Sequence, residues 1–360
     1  MGIALLYYVA FLLFGYVAMY GAFAPQTKKL EKTGNFSFFM QPILYISLIY
    51  ALGSIGAFFS IDTSDFIVPL NVTRVILPLI LVPVIYLAAF LFGEKAMSIA
   101  VIASVVICVF STSIETKFVP FGLNEYVFKF LAVIYFSIFC LGFKVLNYLP
   151  HTISIVSINM LIGVSLLSAI GGAPVYLALL SALLIGALSA YLGINLHRVK
   201  IEFDDVSCAI LAFLISYVFM LDMGEMSFGS CVVFSMIFLG ELALAIWKKL
   251  FISKSGSLIE NSHIYTAAQK LTLAILMSNI FKVGIVCLFF GWFQLFAVNQ
   301  YSLPIITFLV VIWLNSSMGA NLIQTPKTLK QINAEFVRDI KQNLQETKET
   351  LSQISKNKDD

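Results

Sequence analysis

The sequence predicts an all-α, polytopic transmembrane bundle of about eleven helices, with the N-terminus outside and the C-terminus cytoplasmic. Three observations carry this: a composition too apolar for water, apolar runs of membrane-crossing length, and loops that alternate in charge. Of the 360 residues, 60% are hydrophobic and 11% charged. A water-solvated domain carries roughly 25% charged residues, so lipid is the main solvent. A spanning helix needs about 20 mostly apolar residues, and such runs fill nearly everything before Pro326.

The runs fall at about 3–23, 39–60, 75–92, 96–112, 126–146, 153–171, 174–196, 206–222, 226–247, 271–297 and 301–324. Between 75 and 112 only Gly93, Glu94 and Lys95 interrupt the pattern, so the count there is eleven or one fewer. The first run has no basic n-region and no small-residue cleavage site, and reads as a retained helix. All five cysteines lie inside apolar runs without metal-type spacing, as buried thiols do.

Orientation comes from the loops, because cytoplasmic loops are enriched in Lys and Arg near helix ends. Lys28, Lys29 and Lys32 follow the first run, and Lys95, Lys144, Arg198, Lys200, Lys248, Lys249 and Lys254 mark every second loop thereafter. The intervening loops hold Asp62, Asp65, Glu115, Glu125, Asp222 and Glu225, with Arg74 and Lys117 as the only cations. His151, His197 and His263 all fall on the lysine-rich side, together with Glu94, Glu202, Asp204 and Asp205. A net charge of +3 dispersed in this way excludes a basic face for nucleic acid.

Two domains follow: a transmembrane domain over 1–326 and a cytoplasmic tail over 327–360. In the tail, Leu329, Ile332, Phe336, Ile340, Leu344 and Leu351 recur at helical spacing among charges. That pattern predicts an amphipathic helix, lying on the membrane surface, packing on a protein partner, or standing as a solvated extension.

Two loops carry residues with chemistry. The seventh, LGINLHRVKIEFDDVSC, sets Asp204 and Asp205 before an apolar run, with Arg198 and Lys200 upstream. Carboxylates at a membrane surface hold Mg²⁺ when substrate phosphates complete its shell, and the two cations would meet phosphates as charges. The same position suits a helix N-cap at Asp205. The ninth, GELALAIWKKLFISKSGSLIENSHIYT, has Glu241 inside an apolar run, Lys248 and Lys249 two turns on, and His263 in a polar stretch.

Together these residues resemble the polyprenyl-phosphate N-acetylhexosamine-1-phosphate transferases, membrane enzymes that begin lipid-linked glycan synthesis. That family has a loop of the form Leu-Gly-Phe … Ile-Phe-Met-Gly-Asp-x-Gly-Ser, onto which Ile201, Asp204 and Asp205 fall in order. Its next segment has an acidic residue in a helix, a basic pair and a His-rich motif, matched by Glu241, Lys248, Lys249 and His263. The likeness covers roughly the C-terminal half; the N-terminal half agrees in topology.

The resemblance implies a site on the cytoplasmic face of the inner membrane. There a polyprenyl phosphate would attack a UDP-sugar, with Mg²⁺ neutralising the developing charge. Carried over, Asp205, Asp204 and Glu94 are the catalytic acids and Asp205 the metal ligand. Asn147, Arg198, Lys200, Lys248, Lys249 and His263 bind substrate.

The family's paired aspartates in the second cytoplasmic loop are reduced here to Glu94 in FGEKAM. Its Asn- and Asp-rich third loop is reduced to Asn147 in LNYLPHTISIVSI. Three functions therefore stand. The chain is a divergent transferase, or a catalytically inactive relative that binds the lipid carrier or scaffolds partners through its tail. The third is an unrelated transporter whose intramembrane Glu241 and Lys282 line a pathway. The absence of an inverted repeat ranks the transporter behind the other two.

Overall fold

The structure, a computed structural model, describes residues 2–33, 41–60, 72–111, 124–148, 152–171, 175–197, 201, 203–223, 228–236, 238–240, 242–243, 246, 285, 289 and 304–312. Among them every regular element is helical, and no strand occurs. In chain order these are α1 (Gly2–Thr33), α2 (Pro42–Ser60), α3 (Val72–Phe92), α4 (Glu94–Ser111) and α5 (Glu125–Gly142). A 3₁₀ segment, Phe143–Tyr148, follows, then α6 (Thr152–Gly171), α7 (Val175–His197), α8 (Asp205–Met223) and α9 (Phe228–Phe234). Each of the first eight expected runs holds one helix. Six helices among the described residues are long and apolar enough to cross a membrane, and the described apolar stretches of α6 and α8 are shorter. In its described residues the chain is a helical membrane protein.

The ambiguous stretch at 75–112 resolves into two helices. Gly93 adopts φ +82, a left-handed conformation that only glycine enters without steric cost. Its N–H donates to the Ala89 carbonyl at 3.0 Å, closing α3, and its own carbonyl accepts from Met97 at 3.1 Å, opening α4. One residue thus ends one helix, starts the next, and delivers Glu94 to the head of α4.

Two helices form the centre. In α7, 78% of the apolar window is buried, against 11% in α1, and α8 is buried along almost its whole length from Ser207 to Leu221. Around this pair, α1, α2 and α6 pack on α7, and α2 to α6 pack on α8. Side chains such as Leu6, Phe59, Phe90, Phe92 and Ile99 point away from the bundle, as lipid-facing residues do.

The backbones of α1 and α7 approach closely, and glycine permits it. A Cβ on Gly15 would collide with the Leu183 carbonyl oxygen, and one on Gly186 with the Leu12 carbonyl oxygen. Each glycine therefore lies against the other helix's backbone. With no hydrophobic drive between helices in lipid, close backbone contact through small residues is what makes such a pair associate.

Candidate functional site

At one end of the bundle, polar side chains from five elements converge. The α7–α8 connection is pinned there by α7 itself. Asn195 donates from Nδ2 to the Ile201 carbonyl at 3.0 Å and accepts from the Ile201 N–H at 3.3 Å, while the Tyr191 hydroxyl donates to the same carbonyl at 2.5 Å. The Tyr191 and Phe203 rings lie 4.6 Å apart. All four residues are buried, so the backbone entering α8 has a fixed position. Asp204 then caps α8: its Oδ1 accepts from the Ser207 N–H at 2.8 Å, and its carbonyl from the Cys208 N–H at 2.9 Å. Asp205 is the first residue of the helix, where the positive end of the helix dipole favours a carboxylate.

Gln41, just before α2, joins this corner to α3. Its Nε2 donates to Asp204 Oδ2 at 3.1 Å, and its Oε1 accepts from the Tyr86 hydroxyl at 2.6 Å. Beside it sits Lys144, in the 3₁₀ segment after α5. Its Nζ lies 2.7 Å from Glu94 Oε1 and 3.4 Å from Asp205 Oδ2. One ammonium thus bridges the heads of α4 and α8. Burial pushes the Lys144 ammonium toward losing its proton, but the hydrogen bond to Glu94 and the charges of Asp205 and Glu94 outweigh this. Its pKa is held above the ordinary lysine value. The cluster is open on one side, since the side chains of Glu94 and Asp205 are 65% and 42% exposed.

Of the residues singled out from sequence, Asp204, Asp205 and Glu94 come together here. Asn147 lies in the 3₁₀ segment three residues beyond Lys144. Arg198, Lys200, Lys248, Lys249 and His263 fall outside the described residues, as do Glu241, Lys282 and the tail over 327–360. The N-cap expected at Asp205 is instead Asp204, because it is the Asp204 carboxylate that reaches the free N–H of Ser207. Sequence reading missed Lys144 except as an orientation marker, and missed Gln41, Tyr86 and Asn195 altogether. A polar Asn195 inside an otherwise apolar helix was the available signal.

The donor set bears on the Mg²⁺ that the family resemblance implies. Both Asp204 oxygens are engaged, and Glu94 and Asp205 share the Lys144 ammonium. Among the described residues, no three His, Cys, Asp or Glu side chains group closely enough to hold a metal ion. Mg²⁺ demands near-octahedral oxygen ligation and gives up its waters reluctantly. These side chains, with a cation already among them, do not fit it.

The four described cysteines, Cys108, Cys140, Cys208 and Cys231, are buried, as their apolar settings implied.

Fold and site together define a class: a polytopic helical membrane protein with a charged, capped cluster at one end of an apolar bundle. Beyond that class, no protein-family model matches the chain, and no curated protein is significantly similar to it.

Proposed function

We propose that the chain is a non-catalytic relative of the sugar-1-phosphate transferases that holds a polyprenyl phosphate carrier at the cytoplasmic end of its bundle. The observation that carries this reading is the Lys144 bridge: acids at the heads of two helices far apart in sequence meet at one end of the bundle, but already share an internal ammonium. The apolar outer surface suits the isoprenoid chain. Arg198 and Lys200, in the connection that leads to Asp204, supply cations for its phosphate. Glu94, Asp204, Asp205 and Lys144 lie in or beside the connections that carry Lys95, Lys144, Arg198 and Lys200, which supports the cytoplasmic orientation.

A transferase is the second reading, favoured by the convergence of Glu94 and Asp205 from distant parts of the chain. Purified protein in nanodiscs distinguishes the two. Under the first, undecaprenyl phosphate binds and undecaprenol does not, and a panel of UDP-sugars yields no nucleoside monophosphate. Release of UMP, abolished by Asp205→Asn, would establish the transferase instead. Equal binding of phosphate and alcohol would end the carrier reading.

A further inference from the structure

We infer that Lys144 takes the place of a divalent cation: an internal ammonium holds α4, the 3₁₀ segment and α8 together, and the fold neither needs nor binds Mg²⁺ there. This does not depend on which ligand the cluster serves. Glu94 and Asp205 are first residues of their helices, so each carboxylate is stabilised by the positive end of its own helix dipole but repels the other carboxylate. Bringing the two heads together requires positive charge between them. Lys144 supplies it at 2.7 Å and 3.4 Å, from a segment fixed on either side by the buried Phe143 and Leu146.

A divalent ion placed on the same two carboxylates would have the ammonium as its neighbour. Cation and lysine are therefore alternatives, and the chain carries the lysine. Asp204 is no substitute ligand, because the α8 cap and Gln41 occupy its two oxygens.

The lysine is thus the single switch between a self-sufficient and a metal-dependent cluster. With it, thermal stability of the full chain in detergent is unchanged by EDTA or by millimolar Mn²⁺. Without it, in Lys144→Met, the melting temperature falls in EDTA and recovers with Mn²⁺ but not with equal ionic strength of KCl. Asp205→Asn added to that variant removes the recovery. Mn²⁺ bound to Lys144→Met is read independently by electron paramagnetic resonance. Its affinity is stronger than in the parent protein by at least about tenfold, the scale of removing a unit charge beside a divalent ion in a water-accessible site. Lys144→Arg keeps the cation and stays insensitive to Mn²⁺.

Two results would overturn the inference. One is Mn²⁺ binding to the parent protein that Asp205→Asn abolishes, a measurement that needs no lysine variant to fold. The other is a Lys144→Met protein that is as stable as the parent in EDTA and gains no Mn²⁺ affinity.

Discussion

The α1–α7 crossing gives the sharpest stability prediction, because α1 carries its own control. Gly15 and Gly21 share that helix, but a Cβ on Gly15 would strike the backbone of Leu183 and come within 3.2 Å of the Ala187 nitrogen. A Cβ on Gly21 would meet nothing within 4 Å. Changing either to Ala brings the same gain in helix propensity, about 1 kcal/mol. The difference between the two variants therefore isolates the collision. Backbone atoms cannot rotate aside, so α1 must lift away from α7, and even a 0.5–1 Å gap forfeits roughly a quarter to a half of each lost contact's attraction. Overpacking of this kind costs about 1–3 kcal/mol.

Gly15→Ala is thus expected to melt several degrees below Gly21→Ala, at about 2–4 °C per kcal/mol for chains approaching this size. Gly186→Ala, which meets Leu12 and the Tyr16 nitrogen from the opposite side, behaves like Gly15→Ala. The double variant loses less than the sum, because the helices have already separated. A thiol-reactive dye reports the transition, since Cys108, Cys140, Cys208 and Cys231 are buried until the bundle opens. Equal melting of Gly15→Ala and Gly21→Ala would refute the close approach.

Other outcomes follow from the end cluster. Asp204→Ala removes the α8 cap as well as the Gln41 bond and costs about 1–2 kcal/mol, whereas Asp205→Asn weakens one half-exposed ion pair and costs about 1 kcal/mol or less; thermal unfolding orders them, and the reverse order would contradict the cap assignment. Asn195→Leu strands the Ile201 backbone groups that Asn195 serves and costs about 1–3 kcal/mol, seen as faster proteolysis of the α7–α8 connection. Lys144 also sets a pH dependence. Its folded pKa is raised, so its contribution is fully present below the ordinary lysine value and fades as pH climbs through the folded one. The melting difference between the parent protein and Lys144→Met should hold steady from pH 7 to 9 and shrink towards pH 11; a difference that already vanishes by pH 9 would contradict the raised pKa.

Much of the architecture was legible because lipid imposes length and composition together. Eight apolar runs each became a helix, and Gly93 became a break because one glycine can serve both as terminator and as cap. What could not be read was which helices are central. Both α7 and the membrane-crossing part of α1 are apolar all round, as membrane helices are, and only the small residues Ala182, Gly186 and Ala190 on α7 hint that neighbours close in on it. The site was half legible. Asp204, Asp205 and Glu94 stand out as acids beside apolar runs, but their roles depend on partners far along the chain. Gln41 meets Asp204 across 163 positions, and Lys144 meets Asp205 across 61. No local spacing encodes such pairs, and a lysine at a helix end looks the same whether it marks topology or binds two carboxylates.

The convergence of α4 and α8, and the cytoplasmic orientation proposed for that end, are tested most directly by cross-linking. Glu94→Cys and Asp205→Cys are placed together in a chain whose five native cysteines are replaced. A membrane-impermeant bis-thiosulfonate with a spacer of one lysine's reach is then added to sealed vesicles of known orientation. A cross-link between the two positions is expected when the reagent has access to the cytoplasmic face, and none when it reaches only the opposite face. No cross-link from either face, or one formed only from outside, would contradict the geometry or the orientation on which the proposed function stands.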